Sequence, residues 1–511
     1  MSSRTLLSVA IVGSLLVAPA SGQTIETFTS LNPASGNMYG KAVAAGKIVG
    51  SIDWVIVGEP SATVSGLQKA GKLHFYPAVE SPTTPKFEMI APAAHLQASA
   101  LFGASIVTAD IDGDGFGDLV VGAPGQIVGQ RLSHGRAFIF FGPWTPTALK
   151  PYKDLTVLDV LPADGDPTNL TVGDVFGASV AIGQLDGGPA GTSDLDVVVG
   201  APYAADFVTF PGSTVTQAGA VDIFLSPPKN TTRTRDERIY EFLGAQTPSN
   251  HYGWSVAIGN FGDLAQEPLI PLTDIIAGAP DTDSGGQLNF GAWQANFGRL
   301  DPAIGLPTWA TVTGFFQNAF VNGSVAGARA GTSVAAGNYN GDDWDDAAIG
   351  APGSLNGDFA PAGPEGRVAV LNGTANNGLV LPGTPGQEII RAPVGMQTIT
   401  NLFGFSLVWA DTDSTPQLDL VIGGPGIDAI VPGSQHGKVI IARPSVGQLP
   451  FQWPMITLSI VGNDGMRFGW AVAKGVRLDD PVPGGEDVIV GVPMQSIFGV
   501  PNAGLAYAWN F

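Results

Sequence analysis

The sequence predicts an all-β fold, a seven-bladed β-propeller of four-stranded antiparallel blades closed by an N-terminal strand in the last blade. Three observations predict it. A short pattern opens seven times, at Tyr39, Phe102, Phe176, Tyr252, Ala330, Phe403 and Phe468, every 63 to 78 residues. Each opening is followed by an apolar run ending in Gly-x-Pro, and then by a Gly that leads an alternating strand. No long stretch of helical period competes with these strand patterns. Four strands repeated seven times is the arithmetic of a propeller.

Each strand of the unit has its own sequence signal. The first follows an aromatic-Gly pair, as in FGASIVTAD from Phe102 and YGWSVAIG from Tyr252. Its leading residue is small (Ala42, Ser105, Ser179, Ser255, Ser333, Ser406 or Ala471), as expected of strands converging on a narrow axis. The aromatic is large enough to fill the wedge between blades. The second strand is the run WVIVGEP from Trp54, LVVGAP from Leu119, VVVGAP from Val197, IIAGAP from Ile275, AAIGAP from Ala347, LVIGGP from Leu420 or VIVGVP from Val488. Its proline cannot donate to a ladder and ends the strand. The third includes GRAFIFF from Gly135 and GKVIIA from Gly437. The fourth is less regular: FEMIAP from Phe87, LTVLDVL from Leu155, RIYEFL from Arg238, EIIRAP from Glu388 and ITLSIV from Ile456. The seventh unit stops on its third strand, Leu505 to Asn510, and TIETFT from Thr24 is the spare strand that would complete it. Such closure removes two open sheet edges.

Composition narrows the partners. The 511 residues include 23 basic and 44 acidic ones, a formal charge of −21, and no cysteine. This charge repels phosphate backbones and anionic membranes, so nucleic acid is not an expected partner. Disulfides, thiolate metal sites and thiol nucleophiles are excluded. Arg4, the apolar run from Leu6 to Val17 and the small residues to Gly22 predict a signal peptide over residues 1–22. Residues 23–511 then form a single propeller, exported to the extracellular space or periplasm, monomeric and without a membrane span.

The paired aromatic-Gly and Gly-Ala-Pro signatures resemble the FG-GAP repeat of integrin α-subunit propellers, in seven copies over the whole mature chain. Ala330 in place of the aromatic, and GEP, GGP and GVP in three units, depart from the pattern. Between the first and second strands, unit two reads ADIDGDGFGDLVV. Carboxylates at alternate positions of a tight loop supply the oxygens that a hard cation needs. Asp110, Asp112, Asp114 and Asp118, with the Phe116 carbonyl, are the candidate ligands. The loop resembles the calcium hairpin of integrin propellers rather than an EF-hand, whose twelfth-position Glu is here Val121. Unit five offers Asn338, Asn340, Asp342, the Trp344 carbonyl and Asp346. Unit six offers Asp411, Asp413, Thr415, the Gln417 carbonyl and Asp419. Both are expected to bind Ca²⁺. Units three and four, with Asp186, Asp196, Asn260, Asp263 and Asp274 around long insertions, are expected to be empty. So are units one and seven, where Lys47, Val476 and Leu478 intrude. Calcium held this way is structural rather than catalytic.

No other motif carries chemistry. The five histidines are scattered, and hydrolase-elbow, phosphate-loop and dinucleotide motifs are absent. Asn169, Asn230, Asn322 and Asn372 begin glycosylation sequons. Trp144, Trp293 and Trp309 are candidates for exposed binding aromatics or for packing. The expected function is a secreted, calcium-stabilised binding or adhesion module for an extracellular protein or glycan, not an enzyme. The resemblance implies docking on the face opposite the calcium loops. The alternatives are a polysaccharide lyase or hydrolase with its site at the channel mouth, or a carbohydrate-binding lectin.

Overall fold

A computed structural model describes residues 24–49, 52–77, 87–129, 131–144, 151–155, 173–186, 195–204, 217–225, 237–240, 249–262, 272–283, 288–301, 306–312, 327–353, 366–375, 378–380, 387–393, 401–427, 435–444, 453–460, 465–475, 485–497 and 499–510. The predicted signal peptide and three of the four sequons lie outside them.

Strand β1 (Thr24–Phe28) precedes blade 1, which is β2 (Val43–Val49), β3 (Ile52–Glu59), β4 (Lys72–Pro77) and β5 (Phe87–Ile90). Blade 2 is β6 (Ser105–Ala109), β7 (Asp118–Ala123), β8 (Arg136–Phe140) and β9 (Tyr152–Asp154). Blade 3 is β10 (Ser179–Gly183), β11 (Asp196–Ala201), β12 (Ala220–Phe224) and β13 (Glu237–Tyr240). Blade 4 is β14 (Ser255–Gly259), β15 (Asp274–Ala279), β16 (Ala292–Asp301) and β17 (Leu306–Val312). Blade 5 is β18 (Ser333–Gly337), β19 (Asp346–Ala351), β20 (Arg367–Leu371) and β21 (Gln387–Arg391). Blade 6 is β22 (Ser406–Ala410), β23 (Asp419–Gly424), β24 (Lys438–Ala442) and β25 (Met455–Leu458). Blade 7 is β26 (Ala471–Gly475), β27 (Asp487–Val492) and β28 (Leu505–Asn510), with β1 as its outer strand.

Each blade's innermost strand touches that of the next, and β26 touches β2, so the blades form a closed ring. The predicted closure is present: β1 runs antiparallel to β28, with Ile25 opposite Trp509 and Thr27 opposite Tyr507. The fourth strand of blade 2 departs from expectation. It is Tyr152–Asp154, just upstream of Leu155, because Phe138 pairs with Asp154 and Arg136 forms an ion pair with the Asp154 carboxylate. Blade 4 has a fourth strand that the sequence reading left unassigned.

The core lies in the wedges between blades. Tyr39, Phe102, Phe176, Tyr252, Phe403 and Phe468, which open six of the units, are all buried there. Both glycine signatures mark the points where neighbouring blades meet. A Cβ on Gly350 of β19 would stand 2.0 Å from the carbonyl oxygen of Gly404 in the next blade. Gly404 itself has φ +87° and donates its N–H to the Gly423 carbonyl at 3.1 Å, a geometry that L side chains rarely adopt. The small residue that leads the first strand has a further reason beyond the crowded axis. Ser105, Ser179, Ser255, Ser333 and Ser406 each donate a hydroxyl to the carbonyl of the glycine that opens the following blade (Gly177, Gly253, Gly331, Gly404 and Gly469), at 2.8 to 3.0 Å. Ala42 and Ala471, on the two junctions that flank blade 1, have no hydroxyl to do so.

Candidate metal centre on the blade hairpins

In blade 2 the turn joining β6 to β7 is folded by its own carboxylates. Asp118, buried at the start of β7, accepts the Ile111 N–H at 2.8 Å and the Gly142 N–H at 2.7 Å. Asp110 accepts the N–H groups of Asp114 and Gly115 at 3.1 and 2.9 Å. Gly115, at φ +85°, makes the bend. Asp110, Asp112 and Asp118 each then offer a carboxylate oxygen, all within 4.8 Å of one another. Asp114 is not part of that triad; its carboxylate accepts the Phe116 N–H at 3.0 Å. Burial raises Asp118 to about 6; the hydrogen bonds from Gly142 and Ile111 oppose this, and the Asp114 and Asp110 charges add to it. Three converging carboxylates repel one another until a cation sits between them, and an all-oxygen set suits Ca²⁺. This group of residues fits the ion.

The blade 5 hairpin has the same backbone with amides in place of two acids. Asp346 accepts the N–H groups of Tyr339 and Gly373, both at 3.1 Å. Asn340 Nδ2 donates to Asp342 at 2.9 Å, and Asn338 Nδ2 donates to the Asp342 carbonyl. The Trp344 N–H donates to Asp342 at 2.8 Å. The amide nitrogens thus face the oxygens that a cation would bind, and the amides must turn over to offer theirs. Burial raises Asp346 to about 7.

In blade 6, Asp419 accepts the Thr412 N–H at 3.2 Å and the Thr412 hydroxyl. The Asp411 carboxylate accepts the Asp413 N–H at 3.3 Å, Asp413 accepts the Thr415 N–H at 3.2 Å, and the Thr415 hydroxyl reaches the Gln417 carbonyl at 3.3 Å. The predicted residues share one loop, but Asp411, Asp413 and Asp419 do not converge as the blade 2 acids do, and Arg443 lies against Asp413 and Asp419.

The sequence reading missed one regularity. An aspartate immediately precedes the second-strand run in all seven blades; in six of them (Asp118, Asp196, Asp274, Asp346, Asp419 and Asp487) it is 3% exposed or less, while Asp53 of blade 1 is only partly buried. In blades 3 and 4, expected to bind no metal, Asp196 accepts the Leu185 N–H at 2.6 Å and Asp274 accepts the Phe261 N–H at 2.9 Å. This residue closes the hairpin whether or not the rest of a cation loop is present. Its signal was available, since it stands one position before each apolar run. Of the candidate binding aromatics, Trp144 and Trp293 are buried, while only the backbone of Trp309 is described, in β17. Trp254, beside the aromatic-Gly turn of blade 4, is an exposed aromatic that the sequence reading did not single out.

Comparisons with known proteins agree with the geometry. The FG-GAP repeat family matches at residues 102–133 and 330–371. The chain is 29% identical to integrin alpha-8 of Mus musculus over 65% of its length and 26% of that protein's. It is 28% identical to integrin alpha-V of Gallus gallus over 63% of its length and 28% of that protein's. A phosphatidylinositol-glycan-specific phospholipase D of Bos taurus is 31% identical over 36% of this chain and 19% of its own. The chain spans about a quarter of the length of the integrin relatives. Fold, motifs and matches define a seven-bladed propeller of the integrin-α-like kind, with the FG-GAP repeat matched in blades 2 and 5. Its likeness is to the propeller of integrin α-subunits. No helix among the described residues is long and apolar enough to cross a membrane.

Proposed function

We propose that this propeller is an exported binding and adhesion module, stabilised by calcium, for an extracellular protein or glycan. Residues 1–22 are its leader, and the propeller acts as a monomer without catalytic activity of its own. The observation that carries the calcium reading is the Asp110, Asp112 and Asp118 triad at a hairpin tip. Asp114 and the Phe116 carbonyl complete the coordination. The blade 5 residues Asn338, Asn340, Asp342, Trp344 and Asp346 form a weaker second site, since two amides replace two charges there. Bound calcium adds stability by mass action and fixes the loops on one face. The likeness to integrin α-subunits supports the binding role, and fold alone does not name the ligand.

The test is binding of the purified chain to protein and glycan arrays, in calcium and after metal depletion. Retention on a protein or glycan, weakened by depletion, is expected. Turnover of an arrayed polysaccharide would replace this reading with an enzymatic one.

A further inference from the structure

We infer that the blade 6 hairpin carries its own cation, Arg443, and takes no calcium. In blades 2, 4 and 5 the buried aspartate of the hairpin accepts an N–H from a glycine two residues past Phe140, Asn296 or Leu371, the third-strand residue paired with the residue that follows the aspartate: Gly142 at 2.7 Å, Gly298 at 2.9 Å and Gly373 at 3.1 Å. In blade 6 the residue in that register is Pro444, which has no N–H. Arg443, the residue before it, reaches into the loop instead.

Its Nε lies 3.5 Å from Asp419 Oδ2, and its Nη1 lies 3.4 Å from Asp413 Oδ2. Its Nη2 donates to the Thr412 carbonyl at 3.3 Å and to the Thr412 hydroxyl at 3.1 Å. The backbone anchors the arginine, whose N–H donates to the Pro454 carbonyl at 2.9 Å. Asp419 is 1% exposed, so its charge needs a partner inside the protein. The guanidinium supplies one positive charge within ion-pair distance of two carboxylates, and its hydrogen bonds to Thr412 hold it there. A divalent ion at the same oxygens would sit against that fixed charge, and the repulsion disfavours its entry. Asp411, across the loop, is engaged through its backbone: its N–H donates to Glu486 at 3.0 Å, and its carbonyl accepts the Glu486 N–H. Blade 6 is thereby stitched to blade 7 without a metal. This inference concerns blade 6 alone and holds whether or not blade 2 binds calcium.

The test counts calcium bound per full-length chain, by equilibrium dialysis against labelled calcium at millimolar concentration, for the native protein, Asp413→Asn, Arg443→Gln and the double variant. Asp413→Asn should leave the native count unchanged. Arg443→Gln should bind one calcium more than the native chain, and the double variant should lose it. A count that falls by one in Asp413→Asn would overturn the inference, because blade 6 would then already hold an ion. An unchanged count in folded Arg443→Gln would also overturn it. Should Arg443→Gln fail to fold, Asp413→Asn alone still decides.

Discussion

The Ser333 hydroxyl of blade 5 donates a 2.8 Å hydrogen bond to the carbonyl of Gly404 in blade 6. That carbonyl also stands where a side chain on Gly350 would be. One atom therefore explains two features of the repeat: the serine that opens the first strand and the glycine of the second. Ser333→Ala removes one buried hydrogen bond and should cost about 1 kcal/mol in urea unfolding. Gly350→Ala places a methyl 2.0 Å from the same oxygen. It should reach or exceed the upper end of the ~1–3 kcal/mol typical of overpacking. Equal costs for the two would refute this account of the junction.

Glu59, which makes the first unit read GEP rather than GAP, is fully buried and clamps the N-terminal segment. It accepts from Asn37 at 2.7 Å and from Ser30 at 3.2 Å, and stands 2.6 Å from His74 and 3.5 Å from Lys72. Glu59→Ala restores the repeat consensus yet strands these partners. It should cost about 3–5 kcal/mol, as breaking a buried ion pair does. Limited proteolysis should then open the chain first between residues 24 and 37. Unchanged stability in this variant would show that the clamp is idle.

The buried hairpin acids set a pH dependence. Asp118 and Asp419 are raised to about 6 and Asp346 to about 7, chiefly by burial. A raised folded value means the native state holds these protons while the unfolded chain has released them. Without metal, the contribution of these three acids is therefore fully present below pH ~4 and is lost as pH rises through 6 to 7. Glu88 does not disturb that window. Burial alone would raise it, but the hydrogen bonds from His74 and Lys72 prevail and hold it at about 2, so its contribution is lost only as pH falls below ~4.5. Calcium competes with the loop protons, so its stabilisation should be small at pH 5 and large at pH 7.5 in melts of the full chain. A calcium effect equal at both pH values would contradict protonation of these acids.

The ring was legible because each blade contact demands a particular residue at a fixed place. Tyr252 fills a wedge, Gly253 turns the backbone, and Gly278 admits the next carbonyl, so the pattern survives loops of any length. The fourth strands were only partly legible. Each pairs along one edge only, and the partners that placed Tyr152–Asp154 were Phe138 and Arg136, distant in sequence. The blade 2 acids could be read from spacing, and Asp110, Asp112 and Asp118 do converge; that the Asp114 carboxylate also caps its own turn could not be read there. Arg443 was not legible beside the Asp411 loop, because it lies twenty-four residues past Asp419 and only the pairing of β23 with β24 brings it there.

The central claim is that Asp110, Asp112 and Asp118 form a calcium site that stabilises the propeller. The most direct test is thermal melting of the metal-depleted full chain at pH 7.5, with and without millimolar calcium, beside Asp112→Ala. The native chain should gain several degrees from calcium, and Asp112→Ala should lose most of that gain. No calcium shift in the native chain, or an equal shift in the variant, would contradict the claim.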